Sequence, residues 1–294
     1  MLQALAPAKV NLFLHVGPLD ASAYHPLTSL VAFADVGDRL TVERGDGLSL
    51  EVIGPFGAGL ASEADNLVLR AVRLLGETVG MGEPGLRIVL DKQLPIAAGL
   101  GGGSSDAGAA LKLARQILDL DIDDAGLEAV AALIGADGPM CLRARSAWAE
   151  GRGDRLTDVP DLPPLHAILV NPGAPSPTGA VYRAYDEAPI PLADRPAPPT
   201  DWSPAAVIDW LALQRNDLQP PAISLTPVIG QTLSAVAACP GVVLSRMSGS
   251  GATVFGLFEH ADDAAKAASA LWSDHRDWWV RATILGSQMS TAGL

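Results

Sequence analysis

The run PIAAGLGGGSSDAGAAL, from Pro95 to Leu111, places four glycines in five residues, follows them with two serines and an aspartate, and then continues into alanines and leucines. Glycine loses more backbone freedom on ordering than any other residue, so such a run needs a compensating role. The preceding LRIVLDKQLP (86–95) reads as a strand that stops at Pro95. From Ser104 the pattern is helical: Ala107, Ala110, Leu111, Ala114, Ile117 and Leu118 share one face, with Lys112, Arg115 and Gln116 off it. Strand, glycine run, serine-capped helix is the recipe for an anion site. The first amides of a helix lack intrahelical partners, the macrodipole adds positive charge there, and glycines let the main chain approach a phosphate. Ser104 or Ser105 is expected to cap the helix and add a hydroxyl donor.

Two familiar phosphate loops are excluded. No Gly-Lys dipeptide occurs in the chain, so there is no Walker A motif. A dinucleotide fingerprint starting at Gly99 needs Gly or Ala at 104, which is serine.

Around this centre the first 60 residues read as strands, KVNLFLHV (9–16), LTSLVAFADV (27–36), DRLTVERG (38–45) and LSLEVIG (48–54). NLVLRAVRLLGETVG (66–80) reads as a helix with Asp65 as its N-cap, and a further helix spans about 124–134 and ends at GADGPM. SAWAEGRGDRLTDV (146–159) is expected to form a hairpin, and VPDLPPLHAILVNPG (159–173) a new strand. The Pro- and Ala-rich stretch 187–204 reads as a mobile surface linker. Then come a helix in LTPVIGQTLSAVAAC (225–239), strand–turn–strand in VVLSRMSGSGATVFGLF (242–258), and a last helix in DDAAKAASALWSD (262–274). This is an α+β pattern of two lobes.

The 294 residues carry 18% charged and 49% apolar side chains and a net charge of −13. That balance excludes disorder and argues against a nonspecific nucleic-acid binder or a partner of anionic membranes. No run reaches the apolar length of a membrane helix, and the start, with Lys9 inside it, reads as neither signal peptide nor anchor. Cys141 and Cys239 lack metal-ligand or CxxC spacing and read as buried thiols of a reducing compartment, so a cytoplasmic protein without a resident metal is expected.

With the loop in hand, the chain resembles the GHMP kinases. APAKVNLFL (6–14), PIAAGLGGGSSDAGAAL (95–111) and MSGSGATVF (247–255) are similar to the three motifs of that family, in its order. The resemblance narrows to the branch acting on cytidine-diphosphate-linked methylerythritol, through Tyr24-His25, DNLVLRA (65–71), GADGP (135–139), AEGRGDRL (149–156) and RNDLQ (215–219). It implies a two-lobed GHMP-kinase fold: residues 1–160 a ribosomal protein S5 domain 2-like ATP-binding lobe, 161–294 a ferredoxin-like lobe, with the active site in the cleft between them. The implied reaction moves the γ-phosphoryl of ATP to the C2 hydroxyl of the methylerythritol unit, with Mg²⁺ accompanying the nucleotide, in non-mevalonate isoprenoid synthesis. A monomer or weak homodimer is expected.

The resemblance gives each site residue a role. Asp137 is the general base and Lys9 its electrostatic partner. Pro95, Ile96, Ala97, Ala98, Gly99, Leu100, Gly101, Gly102, Gly103, Ser104 and Ser105 wrap the phosphates, and Asn66 and Leu67 approach the adenine. Tyr24 and Tyr182 flank the cytosine, with His25 reading its edge. Asn11 and Thr178 hold the methylerythritol or its diphosphate, and Gly249, Ser250 and Gly251 turn behind that diphosphate with their N–H groups on it. His15 reads as structural. Two departures stand out. Ala23 replaces a glycine usual before the Tyr-His pair, and Gly138 and Met140 after Asp137 replace residues of a usual VPF, which is expected to loosen the packing there. Two rivals remain: a GHMP kinase for another small alcohol such as homoserine or mevalonate, and a non-catalytic GHMP-fold binder.

Overall fold

A computed structural model of the protein describes residues 1–21, 23–60 and 66–286. Strand β1 (Leu2–Val16) is buried without interruption from Ala6 onward, so both of its faces are covered, and it pairs antiparallel with β2 (Leu27–Arg44) along its whole length. β2 is one strand where the sequence reads as two. Gly37 lies opposite Pro7, where a Cβ would meet the Ala6 carbonyl and the Pro7 Cα. A glycine inside a strand permits that backbone approach, so the residue that looks like a break holds the ladder together.

β3 (Ser49–Ile53) runs parallel to β4 (Leu86–Asp91), and α1 (Leu67–Thr78) lies in the crossover between them. Asn66 caps α1, its side chain accepting from the Val68 N–H at 2.9 Å. The expected cap, Asp65, lies outside the described residues. Helices α2 (Gly102–Leu118), α3 (Asp124–Ile134) and α4 (Gly138–Arg143) follow. With α1 they cover the β2–β4 face, burying Leu40, Val42, Leu75, Leu86, Ile88 and Leu111. α4 is absent from the sequence reading because Gly138-Pro139 looks like a break, yet proline suits the first turn of a helix, where its missing N–H costs nothing. The expected hairpin is β5 (Ala147–Gly151) with β6 (Arg155–Asp158), paired to the first half of β2.

The second sheet comprises β7 (Leu165–Asn171), β8 (Val242–Met247), β9 (Val254–Phe258) and β10 (Trp279–Leu285). Its order is β10-β7-β9-β8, every neighbour antiparallel. Numbered within the lobe this is 4-1-3-2, the ferredoxin-like order. Helices α5 (Thr178–Tyr185), α6 (Pro204–Ala212), α7 (Gln219–Leu225) and α8 (Val228–Ala237) lie between β7 and β8, and α9 (Ala261–Asp274) between β9 and β10. The 187–204 stretch has no regular structure until α6 starts at its end, but it is tied down rather than free. Ile190 N–H donates to the Tyr185 hydroxyl, Trp210 Nε1 donates to the Ala197 carbonyl, and the Arg195 guanidinium lies 4.3 Å from the Trp148 ring. The sheets touch where Leu285 pairs with Ala34. A shared core joins the lobes, with Phe13 meeting Trp148 and Trp210 edge-on at 5.9 and 5.8 Å.

Candidate active site

Main-chain hydrogen bonds draw three distant segments together. Lys9 N–H donates to the Leu100 carbonyl (2.8 Å) and Thr253 N–H to that of Ala98 (3.1 Å). The Ser248 hydroxyl donates to the Gly99 carbonyl (3.0 Å) and accepts from Asn11 N–H (3.1 Å). The middle of β1, the β4–α2 loop and the β8–β9 turn thereby form one wall of a cavity of about 560 Å³.

The β4–α2 loop is shaped by backbone conformations with positive φ, at Ala97 (51°), Gly99 (75°) and Gly101 (63°). At Gly99 a Cβ would stand 2.5 Å from the Ser248 carbonyl oxygen and 2.9 Å from that of Gly251. Neither Ser104 nor Ser105 caps α2. The helix starts at Gly102, with Gly101 in the left-handed region as N-cap and no side chain bonded to the first amides. The glycines let the chain turn into the helix earlier than the serines allow, which leaves those amides free for a ligand. Ser104 lines the cavity; Ser105 and Leu100 are buried behind it.

On the same cavity Lys9 Nζ lies 2.6 Å from Asp137 Oδ2, with the lysine side chain 9% exposed and the carboxylate 40%. Burial pulls the Lys9 pKa down, but Asp137, with smaller help from Cys141 and Tyr182, outweighs it and holds the ammonium above its ordinary value. Burial, reinforced by Asp137, pushes the Cys141 thiol up to about 12, so it is an inert neighbour. Cys239 is half-buried and also free. The departure at Gly138 tightens the structure instead of loosening it: a Cβ there would enter the Ala131 carbonyl, so only glycine lets α4 start against the end of α3. Met140 is buried and lines the cavity.

A second charged cluster is missing from the sequence reading. Lys92 Nζ contacts Asp38 Oδ2 at 2.5 Å and Asp106 Oδ2 at 2.6 Å, all three side chains nearly fully buried. Asp38 also accepts the N–H groups of Gln93 and Leu94 at 2.6 and 2.8 Å, which anchors the loop where it leaves β4. Burial pushes Asp106 upward against the pull of Lys92, and its Oδ1 has no hydrogen-bond partner among the described residues. The available signal was Lys92 itself, a charge at the end of an apolar strand just before the glycine run.

Asn66, Leu67, Asn11, Thr178, Tyr182, Gly249 and Ser250 also line the cavity, whereas Tyr24, His25 and Gly251 lie off its wall. Asn11 Nδ2 donates to the Ser29 hydroxyl at 2.8 Å, and the Thr178 and Ser250 hydroxyls share a 2.8 Å bond. Gly251 N–H is spent on the Ser248 carbonyl. The His25 ring lies 4.7 Å from that of Tyr182, with Nε2 2.7 Å from Asp186. Burial, then Asp137, raises the Tyr182 hydroxyl to about 12. Tyr24 is 45% exposed, and the Arg152 guanidinium sits 3.3 Å from its ring centroid. His15 is buried against Phe13, and burial followed by Arg215 lowers its pKa, in keeping with a structural, neutral ring.

Ala23, where the family usually has glycine, adopts φ 61° in a loop closed by Asp20 N–H to Tyr24 O (2.8 Å) and Ala23 N–H to Asp20 O (3.0 Å). The left-handed region costs an L-residue roughly 1–2 kcal/mol, and glycine costs roughly 0.4–1 kcal/mol in unfolded-state entropy. Ala23→Gly is therefore expected to raise the unfolding free energy by about 0.5–1 kcal/mol, read from the midpoint of chemical denaturation; a loss of stability contradicts the strained assignment.

A glycine-built loop facing a buried ammonium paired with a partly exposed carboxylate is equipment suited to a phosphotransferase. Models of the GHMP kinases' N-terminal domain and C-terminal domain match residues 66–144 and 205–275. The chain belongs to the GHMP kinase family and is a kinase. It is 54% identical to the 4-diphosphocytidyl-2-C-methyl-D-erythritol kinase of Caulobacter sp. (strain K31) over 97% of this chain and 98% of that protein. The protein of the same name from Dinoroseobacter shibae is 47% identical, covering 97% and 95%. A crystal structure of 4-(cytidine 5'-diphospho)-2C-methyl-D-erythritol kinase superposes with a TM-score of 0.79 at 37% identity, over 97% of this chain and 100% of that one. Among the described residues no helix is long and apolar enough to cross a membrane.

Proposed function

We propose that the chain transfers the γ-phosphoryl group of ATP to the C2 hydroxyl of 4-(CDP)-2-C-methyl-D-erythritol, yielding the 2-phosphate and ADP for non-mevalonate isoprenoid synthesis. The observation that carries this is the 2.6 Å Lys9–Asp137 contact on the cavity that the glycine loop lines, in a chain so similar to kinases named for that acceptor.

In this reading the bare amides at the start of α2 and the loop from Pro95 to Ser105 hold the triphosphate, and Asn66 and Leu67 lie toward the adenine. The acceptor oxygen attacks the γ-phosphorus in line, the bond to the β,γ-bridging oxygen breaks, and the hydroxyl proton passes to Asp137. Lys9 stabilises negative charge on the group in flight, and burial makes that stronger than in water. Asn11, Thr178 and Ser250 position the methylerythritol unit, and Tyr182 with His25 contacts the pyrimidine.

Were Mg²⁺ to accompany the nucleotide, it would supply charge neutralisation on the phosphates, held from this chain by Asp106. Asp106 lines the cavity, and its Oδ1, unpartnered among the described residues, is a hard oxygen donor that fits such an ion.

The same reading divides the chain into an ATP-binding lobe, 1–160, and a second lobe, 161–294. It places the protein in the cytoplasm as a monomer or weak homodimer. The test is ADP release from purified protein with ATP, Mg²⁺ and, in turn, CDP-methylerythritol, homoserine and mevalonate. Turnover with the first alone is expected; turnover with another alcohol reassigns the substrate, and none with any supports a binding protein.

A further inference from the structure

Both substrates of the proposed reaction are polyanions, in a chain of net charge −13. Three cationic side chains line the cavity among the described residues, and two are committed: Lys9 to Asp137, Lys92 to Asp38 and Asp106. The third is Arg152. Among the described residues its guanidinium has no carboxylate within ion-pair distance, and it rests on the Tyr24 ring.

Arg152 sits at the turn between β5 and β6, flanked by Gly151 (φ 69°) and Gly153 (φ 92°), its N–H donating to Asp154 Oδ1 at 3.0 Å. A Cβ at Gly153 would lie 3.7 Å from Asp137 Oδ1. The turn thus reaches from the carboxylate to Tyr24, next to His25 and the pyrimidine contacts. In a nucleoside-diphosphate-linked alcohol the diphosphate lies between the base and the reacting hydroxyl. A cation spanning those two ends is where that diphosphate must pass.

We propose that Arg152 binds the diphosphate of the acceptor, a role that rests on the reading of the cavity given above. Stacking on Tyr24 uses the flat face of the guanidinium and fixes its plane, while its in-plane N–H groups stay available as a fork for phosphate oxygens. A charge-assisted fork of this kind is both strong and selective for the doubly charged linker.

The test compares wild type with Arg152→Ala, Arg152→Lys and Arg152→Gln. Steady-state kinetics with CDP-methylerythritol should show the KM for the acceptor raised about tenfold or more in the alanine and glutamine variants, and partly restored by lysine. The KM for ATP and kcat should stay within about threefold. Calorimetry with CDP and with cytidine needs no turnover: Arg152→Ala should weaken CDP by a similar factor and leave cytidine unchanged. An unchanged acceptor KM, equal losses for CDP and cytidine, or wild-type protein that binds CDP no better than cytidine would overturn the assignment. Wild-type protein that binds CDP through Arg152 but fails to phosphorylate the alcohol would sink the proposed reaction and leave this site standing.

Discussion

Asp137→Asn is expected to lower kcat by about 10²–10⁴-fold, the range a positioned general base contributes, while leaving the KM for ATP within about twofold. The amide keeps the size of the carboxylate and can still accept from Lys9, so the phosphate loop, anchored by its own backbone bonds to β1 and the β8–β9 turn, has no cause to move. What is lost, on the proposed assignment, is the acceptor for the hydroxyl proton. The substitution also removes the main influence that holds the buried Lys9 ammonium above its ordinary pKa, so burial then pulls that pKa down. The sign is definite: any fall in activity of the variant on the alkaline side should begin at lower pH than in wild type. A single-turnover measurement separates the cases, because a normal chemical step in the variant would remove Asp137 from the role of base.

Gly99→Ala carries the largest expected structural effect. Alanine at φ 75° costs roughly 1–2 kcal/mol, and forcing a methyl to within 2.5 Å of the Ser248 carbonyl adds a typical overpacking penalty of about 1–3 kcal/mol. The sum, about 2–5 kcal/mol, corresponds to a fall in Tm on the order of 3–10 °C for a chain of this size. The contact that must yield is backbone against backbone, between the phosphate loop and the β8–β9 turn, so the KM for ATP should rise as well. Gly103→Ala is the control: its Cβ would meet only the flexible end of Leu67, at 3.2 Å, and should cost less than about 1 kcal/mol. Equal Tm values for the two variants would contradict the account of the loop.

Much of this architecture is legible in the sequence because the signals are local. Period-2 and period-3.6 patterns mark most strands and α1, α2, α3, α8 and α9, and the glycine run between a strand and a helix marks the loop. What escapes is set by contacts between distant segments. Gly37 reads as a break until Ala6 and Pro7 are seen packed against it, and Gly138-Pro139 reads as a stop until Ala131 explains the glycine. α6 and α7 are short, open with prolines and hide in or near a Pro-rich stretch, and β10 lies in a tryptophan-rich segment without clear alternation.

The site divides in the same way. Spacing alone offers no reason to join Lys9 to Asp137, 128 residues apart; the family motifs supply it, and the structure brings the pair to 2.6 Å. Asp38, Lys92 and Asp106 come from a strand, a strand end and a helix, and each alone looks like an ordinary charge. Arg152 falls inside AEGRGDRL, one of the stretches that carry the resemblance, but nothing in that stretch alone gives the side chain a role. Its stack on Tyr24 exists only once the hairpin is folded beside the loop before β2.

The most direct measurement is a crystal structure of the chain with a non-hydrolysable ATP analogue and CDP-methylerythritol. The account predicts the triphosphate against the amides of Gly101 to Ser104 and the C2 hydroxyl within about 2.6–3.2 Å of the Asp137 carboxylate, with the γ-phosphorus facing it. A C2 hydroxyl out of hydrogen-bond reach of Asp137, or a triphosphate bound away from the 95–105 loop, would contradict it.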